Sequence, residues 1–463
     1  MIPAGIAEAA ALFRARKLSP VELARDCLAR IARLDPQLHA FVLVAEERAL
    51  ADARAAEARL MRGEARGPLD GIPFAHKDIV GTAGLETTCC SRILQGHVPD
   101  ADAHAAKRLA EAGTVLLGKL TTHEFALGGP SFDLPTPPAR NPWDTARFTG
   151  GSSSGSGAAL AAGLLLGATG SDTMGSIRSP AVFCGITGHK PSYGLVGRSG
   201  VFPLAQSLDH VGPMARSAED CALLLEAMAG PDPGDPASAG RDAAGVAAEL
   251  AQGVKGLRIG VIRHFHETDN RGSPAALANL EAALGVFRSL GAELADVTLP
   301  PLADWHAVAG TIMLAEAHAI HGAWLRARFA EYGALFRERV VLAAAIGSED
   351  YVNAQRKRRE LCAAMERAFA QHDVLVTLAQ AGEAPLIEKA PRWGTLELGS
   401  FAAPFNVTGG PSVAFGTGFG EGGMPTGMQI AGPVFADGRV LRAAHAYQQA
   451  TDWHRRWPAL AAG

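Results

Sequence analysis

Apolar residues recur at steps of three and four in Val21, Ala24, Leu28 and Ile31, which puts them on one face of a helix. Ser19 reads as the N-cap of that helix, with Pro20 first inside it and Glu22 three residues past the cap. On this pattern residues 5–62 are expected to be helical. The pattern changes from about residue 70. The runs IPFAHKD (72–78) and TVLLGKL (114–120) read as strands with a helix over 102–112 between them, and LLLGATGSD continues the alternation. A turn-rich stretch, GPDPGDPASAG (230–240), precedes another strand, GLRIGVI (256–262). Helices follow over about 273–290, 308–331 and 350–371. The strand VLVTL (374–378) comes next, and a helix near 438–449 closes the chain. Alternating strands and helices predict an α/β fold built on a sheet.

Composition narrows the picture. The 463 residues are 48% hydrophobic and 19% charged, and α/β enzymes of this length can form one body. A single domain is therefore expected over 1–463. It would comprise a helical segment (1–62), a core (about 63–230), a turn-rich excursion (230–255) and a C-terminal part (256–463). The formal charge of −4 gives no basic footprint for nucleic acid. GAALAAGLLLGA is too short and glycine-rich to cross a bilayer, and the N-terminus lacks a basic leader before an apolar core. Cys27, Cys89, Cys90, Cys184, Cys221 and Cys362 have no metal-ligand spacing and read as reduced, mostly buried thiols. The expected compartment is the cytoplasm.

Hydroxyls and glycines concentrate at two points, GGSSSGSG (150–157) and GSDTMGSIRSP (170–180). A phosphate loop is a poor reading of the first, because the Gly-Lys-Ser/Thr ending of a P-loop is missing. Small residues for tight packing explain Ala158 to Gly163 but not the hydroxyls at both ends. GSSSG fits GxSxG around Ser153, yet no histidine and acid stand out to complete such a site, and His189 reads as structural. A buried lysine can serve as the base instead, since desolvation favours the neutral amine. Lys77 ends a largely apolar strand, where lysine is uncommon.

Taken in order, GPLDGIPFAHKD, GGSSSGSGAALAAG and GSDTMGSIRSPAVFCGITGHKPSYG resemble the amidase signature family. The similarity extends to LSPVELARDCLARI, NPW (141–143), FAAPFNVTGGPSVAFG and MPTGMQIAGP, and so covers most of the chain. GSDTMGSIRSP particularly resembles the carboxybiuret hydrolase version of this loop, and the chain as a whole looks like bacterial amidases, carboxybiuret hydrolases and urethanases. The resemblance implies a mixed, twisted sheet flanked by helices on both sides. It also implies a Ser-Ser-Lys triad: Ser176 as nucleophile, Ser152 as proton relay after a cis peptide bond from Gly151, and Lys77 as base. Backbone N–H groups of Thr173, Met174, Gly175 and Ser176 would form the oxyanion hole, with Ser153, Asp172 and Arg178 in support.

Met174 stands where the family commonly has glycine, and with Phe125, Leu127 and Phe132 it is expected to line the substrate entrance. His76 reads as a packing residue. No basic cluster dedicated to a substrate carboxylate is visible in the sequence. The expected substrate is therefore a small neutral amide, anilide or carbamate, cleaved without metal or organic cofactor. No nucleic-acid or membrane partner is expected, and the chain would be a monomer or homodimer. The alternative is an amidotransferase A-type subunit that releases ammonia from glutamine for a partner protein.

Overall fold

The computed structural model describes residues 2–397 and 399–461. Its strands are β1 (Phe41–Val44), β2 (Pro73–Lys77), β3 (Val115–Leu120), β4 (Gly167–Asp172), β5 (Thr187–Lys190), β6 (His210–Ala215), β7 (Arg258–Val261), β8 (Glu293–Asp296), β9 (Val374–Leu378), β10 (Ser412–Phe419) and β11 (Pro425–Ala431). They form one sheet in the order β1-β3-β2-β4-β6-β5-β10-β11-β9-β7-β8. The sheet is mixed. β2 is parallel to β3 and β4, and β7 to β8 and β9, while the central pairs run antiparallel. Every residue of β2 to β6 is buried, so helices cover both faces of this region.

The helix Pro20–Leu38 starts on the Ser19–Glu22 capping box that its sequence predicts. Residues 5–62 are not wholly helical, however. Phe41–Val44 is a strand that pairs antiparallel with β3. Four residues carry too little periodicity to announce a strand whose partner lies far along the chain. In the helix Ser154–Ala161 every side chain is buried, and small residues let it lie close against its neighbours. A β-carbon on Gly155 would fall 2.3 Å from the Ala40 carbonyl oxygen. No helix among the described residues is long and apolar enough to cross a membrane. The six cysteines are free, five of them buried.

Candidate active site

Lys77 ends β2, and Ser171 and Asp172 end its parallel neighbour β4. Between them in sequence, residues 150–153 turn into the helix Ser154–Ala161. Three segments thus converge at the carboxyl ends of two parallel strands, the usual place for a site in such a sheet.

Lys77 Nζ lies 2.7 Å from Ser152 Oγ, 3.0 Å from Ser153 Oγ and 2.8 Å from Ser171 Oγ. All four side chains are buried. A neutral amine has two N–H groups and one lone pair, which matches three hydroxyl neighbours. With the lone pair turned to the Ser152 hydroxyl, the two hydrogens can donate to Ser153 and Ser171. Burial brings the Lys77 pKa down to about 7, against the opposing pull of Asp172 and Asp209. The amine is therefore poised to gain or lose a proton near neutral pH. The Gly151–Ser152 peptide bond is cis.

Ser176 is half-buried and lines a cavity of about 410 Å3. Its carbonyl oxygen accepts the Ser153 N–H at 3.2 Å, tying the two serine clusters together. The turn that carries Ser176 hangs on Asp172, whose carboxylate accepts the N–H groups of Gly175 and Ile177 and a two-pronged contact from Arg178. Arg178 also donates to the side-chain oxygens of Asn406 and Gln429 and to the Ala402 carbonyl. Burial alone would raise the Asp172 pKa; the Arg178 charge and hydrogen bonds outweigh that and hold it well below the usual carboxylate range. Because Gly175 N–H is committed to Asp172, the N–H groups of Thr173, Met174 and Ser176 are left as candidate oxyanion donors.

Two histidines noted in the sequence have structural surroundings. His76 is buried against Phe74 and Thr169, and His189 bonds Asp437 at 3.0 Å.

The walls of the cavity differ from expectation. Met174 lines it, but Phe125, Leu127 and Phe132 do not. The Phe125 backbone is left-handed (φ 46°), and its ring packs with Phe202, His321 and Phe336 in the core. Leu127 is buried, and Phe132 is exposed on the surface. Phe148, Phe183, Met313 and Phe401 supply the apolar walls instead. A second, larger cavity of about 790 Å3 lies alongside and shares Ala126, Thr173 and Leu204 with the first, but Ser176 is not in its wall.

Cationic groups also reach the Ser176 cavity, although the sequence shows no basic cluster. Lys389 is at its exposed rim, and Arg339 lies in its wall at 1% exposure. Arg339 donates to the backbone carbonyls of Gly128 and Arg392, and its Nε has no hydrogen-bond partner among the described residues. Burial and the neighbouring Arg392 lower its pKa to about 10, so it stays charged at neutral pH. Arg339 sits in FRERVV, which reads as an ordinary helical surface. Only folding brings it into the cavity that Ser176 lines.

Comparison with known proteins places these features in a family. The family profile described as Amidase matches residues 22–441. The chain is 41% identical to the A-type subunit of the glutamyl-tRNA(Gln) amidotransferase of Methylococcus capsulatus, over 98% of each chain. It is 36% identical to a solved structure from a vestigial protein complex that reveals the evolutionary origins of an s-triazine catabolic enzyme. That match has a TM-score of 0.91 and covers 96% of this chain and 98% of the other. The native peptide amidase of Stenotrophomonas maltophilia is 33% identical, with a TM-score of 0.86 and 98% of each chain covered.

Proposed function

This chain belongs to the amidase family, and from that premise we propose that it opens the carboxamide of a small substrate bearing a carboxylate, glutamine being the first candidate. The observation that carries this reading is Arg339. A buried guanidinium held only by carbonyl oxygens keeps a net charge that a substrate carboxylate would complement, and an arginine fork suits such a group. The same reading favours the amidotransferase alternative over the small neutral amide expected from the sequence. The 41% identity to such a subunit over nearly the whole chain supports it independently.

The reaction would use the three residues the sequence resemblance implies. Neutral Lys77 takes the proton of Ser152, which takes that of Ser176 as its oxygen attacks the amide carbon. The oxyanion forms beside the N–H groups of Thr173, Met174 and Ser176, and losing one such donor costs on the order of 100–1000-fold in rate. Ser152 then returns a proton to the departing nitrogen and the C–N bond breaks, releasing ammonia and leaving an acyl-enzyme at Ser176. Water, deprotonated through the same relay, releases the acid.

The test is ammonia release by the isolated chain from glutamine and from a neutral primary amide, with an anilide and a carbamate followed by their own products. Ser176→Ala serves as control. Faster turnover of glutamine, lost in the alanine variant, would support the proposal. Preference for the neutral amide, anilide or carbamate would return the assignment to a free-standing hydrolase. Undiminished activity in Ser176→Ala would overturn the nucleophile.

A further inference from the structure

The peptide unit joining Gly128 to Gly129 is gripped at both ends. Its carbonyl accepts from Arg339 Nη1, and its N–H donates to His123 Nδ1 at 2.7 Å. The His123 ring stacks on Phe148, with centroids 5.7 Å apart and planes within 8°. It also covers Gly151 so closely that a β-carbon there would come within 2.0 Å of Cε1. The ring is thus fixed in place, and it lines the cavity that holds Ser176 and Arg339.

This geometry decides the tautomer. A ring nitrogen that accepts an N–H carries no proton, so the single proton of a neutral imidazole is on Nε2. Arg339 reinforces the arrangement, because donation to the Gly128 carbonyl polarises the same peptide whose N–H meets Nδ1. Burial, together with the charges of Lys77 and Arg339, holds the ring neutral with a pKa of about 3. The ring therefore has no lone pair free for a proton, and its Nε2–H is a donor.

We propose that His123 is a substrate-binding residue, whose Nε2–H donates to a carboxylate oxygen of the substrate beside the Arg339 guanidinium. The inference rests on the carboxylate-bearing reading above and adds a second group to it. A neutral donor suits this position. Another cation near Lys77 would push the amine's pKa down further, whereas an N–H dipole recognises the anion without adding net charge. The cavity would then read the carboxylate with one charged fork and one uncharged donor held on a common peptide.

The experiment compares glutaramic acid with valeramide, two primary amides of equal length that differ in the terminal carboxylate. The kcat/KM ratio of the two is measured for wild type, His123→Phe and His123→Gln. Rates are taken per Ser176 labelled with a fluorophosphonate, so a misfolded fraction drops out. A hydrogen bond to a charged group is strong enough that the ratio should fall roughly 10–100-fold in His123→Phe, mainly through KM. Glutamine, which keeps a side-chain N–H, should recover part of it. An unchanged ratio in His123→Phe, or equal losses on both amides, overturns the inference while the carboxylate reading stands. A wild-type enzyme that does not prefer glutaramic acid overturns the carboxylate reading, and the role of His123 falls with it.

Discussion

Asp172 and Arg178 meet at 2.9 Å with both side chains out of solvent, and the same carboxylate holds the turn that presents Ser176. The pair anchors that turn in the folded chain. Arg178→Met leaves a buried carboxylate without its main partner, and removing one member of such a pair costs about 3–5 kcal/mol. Urea unfolding should show a loss of that size, and amide turnover should fall at temperatures where the variant is still folded, because the turn loses its anchor.

In the proposed mechanism Lys77 would set the pH response of the reaction. Only the neutral amine can accept the relay proton, so kcat/KM should rise with pH through about 7 and level off above it. The same depressed pKa shapes stability. The unfolded amine titrates near its ordinary value, so between about 7 and 10.5 the unfolded state binds more protons and stability climbs with pH. Lys77→Met should therefore be inactive yet more stable than wild type. The gain should be largest below pH 7, as much as about 5 kcal/mol, and should fade towards pH 10 in paired denaturation curves.

Glu124 fastens the segment that carries Arg339. Its carboxyl accepts from Ser91 Oγ at 2.6 Å and from Gly333 N–H at 2.9 Å, immediately before the helix Ala334–Val341. Burial raises its pKa to about 7 despite those two donors. A raised carboxyl pKa means the folded state holds the proton longer, so stability declines as pH rises from about 4.5 to 7. Glu124→Gln should remove up to about 3 kcal/mol of that pH dependence, read as a flatter melting temperature across the window.

Met174 lines the cavity at the turn, and its carbonyl accepts from Ser400 Oγ at 3.2 Å. Met174→Ala keeps the backbone N–H and shortens the side chain. The variant should improve kcat/KM for branched acyl groups relative to linear ones by about tenfold, the scale set by a few methylene contacts. A ratio unchanged from wild type would mean that Met174 does not bound the acyl group.

Much of this protein is written locally. The Ser19 cap needs only its own next three residues. The alternation of strands and helices needs only apolar periodicity, and Lys77 is conspicuous as a lysine ending an apolar strand. The two serine clusters and their order along the chain likewise carry the resemblance that locates Ser152, Ser176, Asp172 and Arg178.

What the sequence could not supply depends on segments far apart. Phe41–Val44 became a strand because β3, more than seventy residues away, offered an edge to pair with. Phe125 turned into the core through a left-handed backbone, a conformation that glycine or asparagine would announce in a sequence and phenylalanine does not. Arg339 and His123 reached the cavity by holding the two ends of the Gly128–Gly129 peptide, 211 and 6 residues away in sequence respectively. Hydrophobic periodicity reports which side of one element is buried, so it placed the elements and the chemistry of the turns. Which charges and dipoles face the substrate is decided by packing between elements, and that exists only in the folded chain.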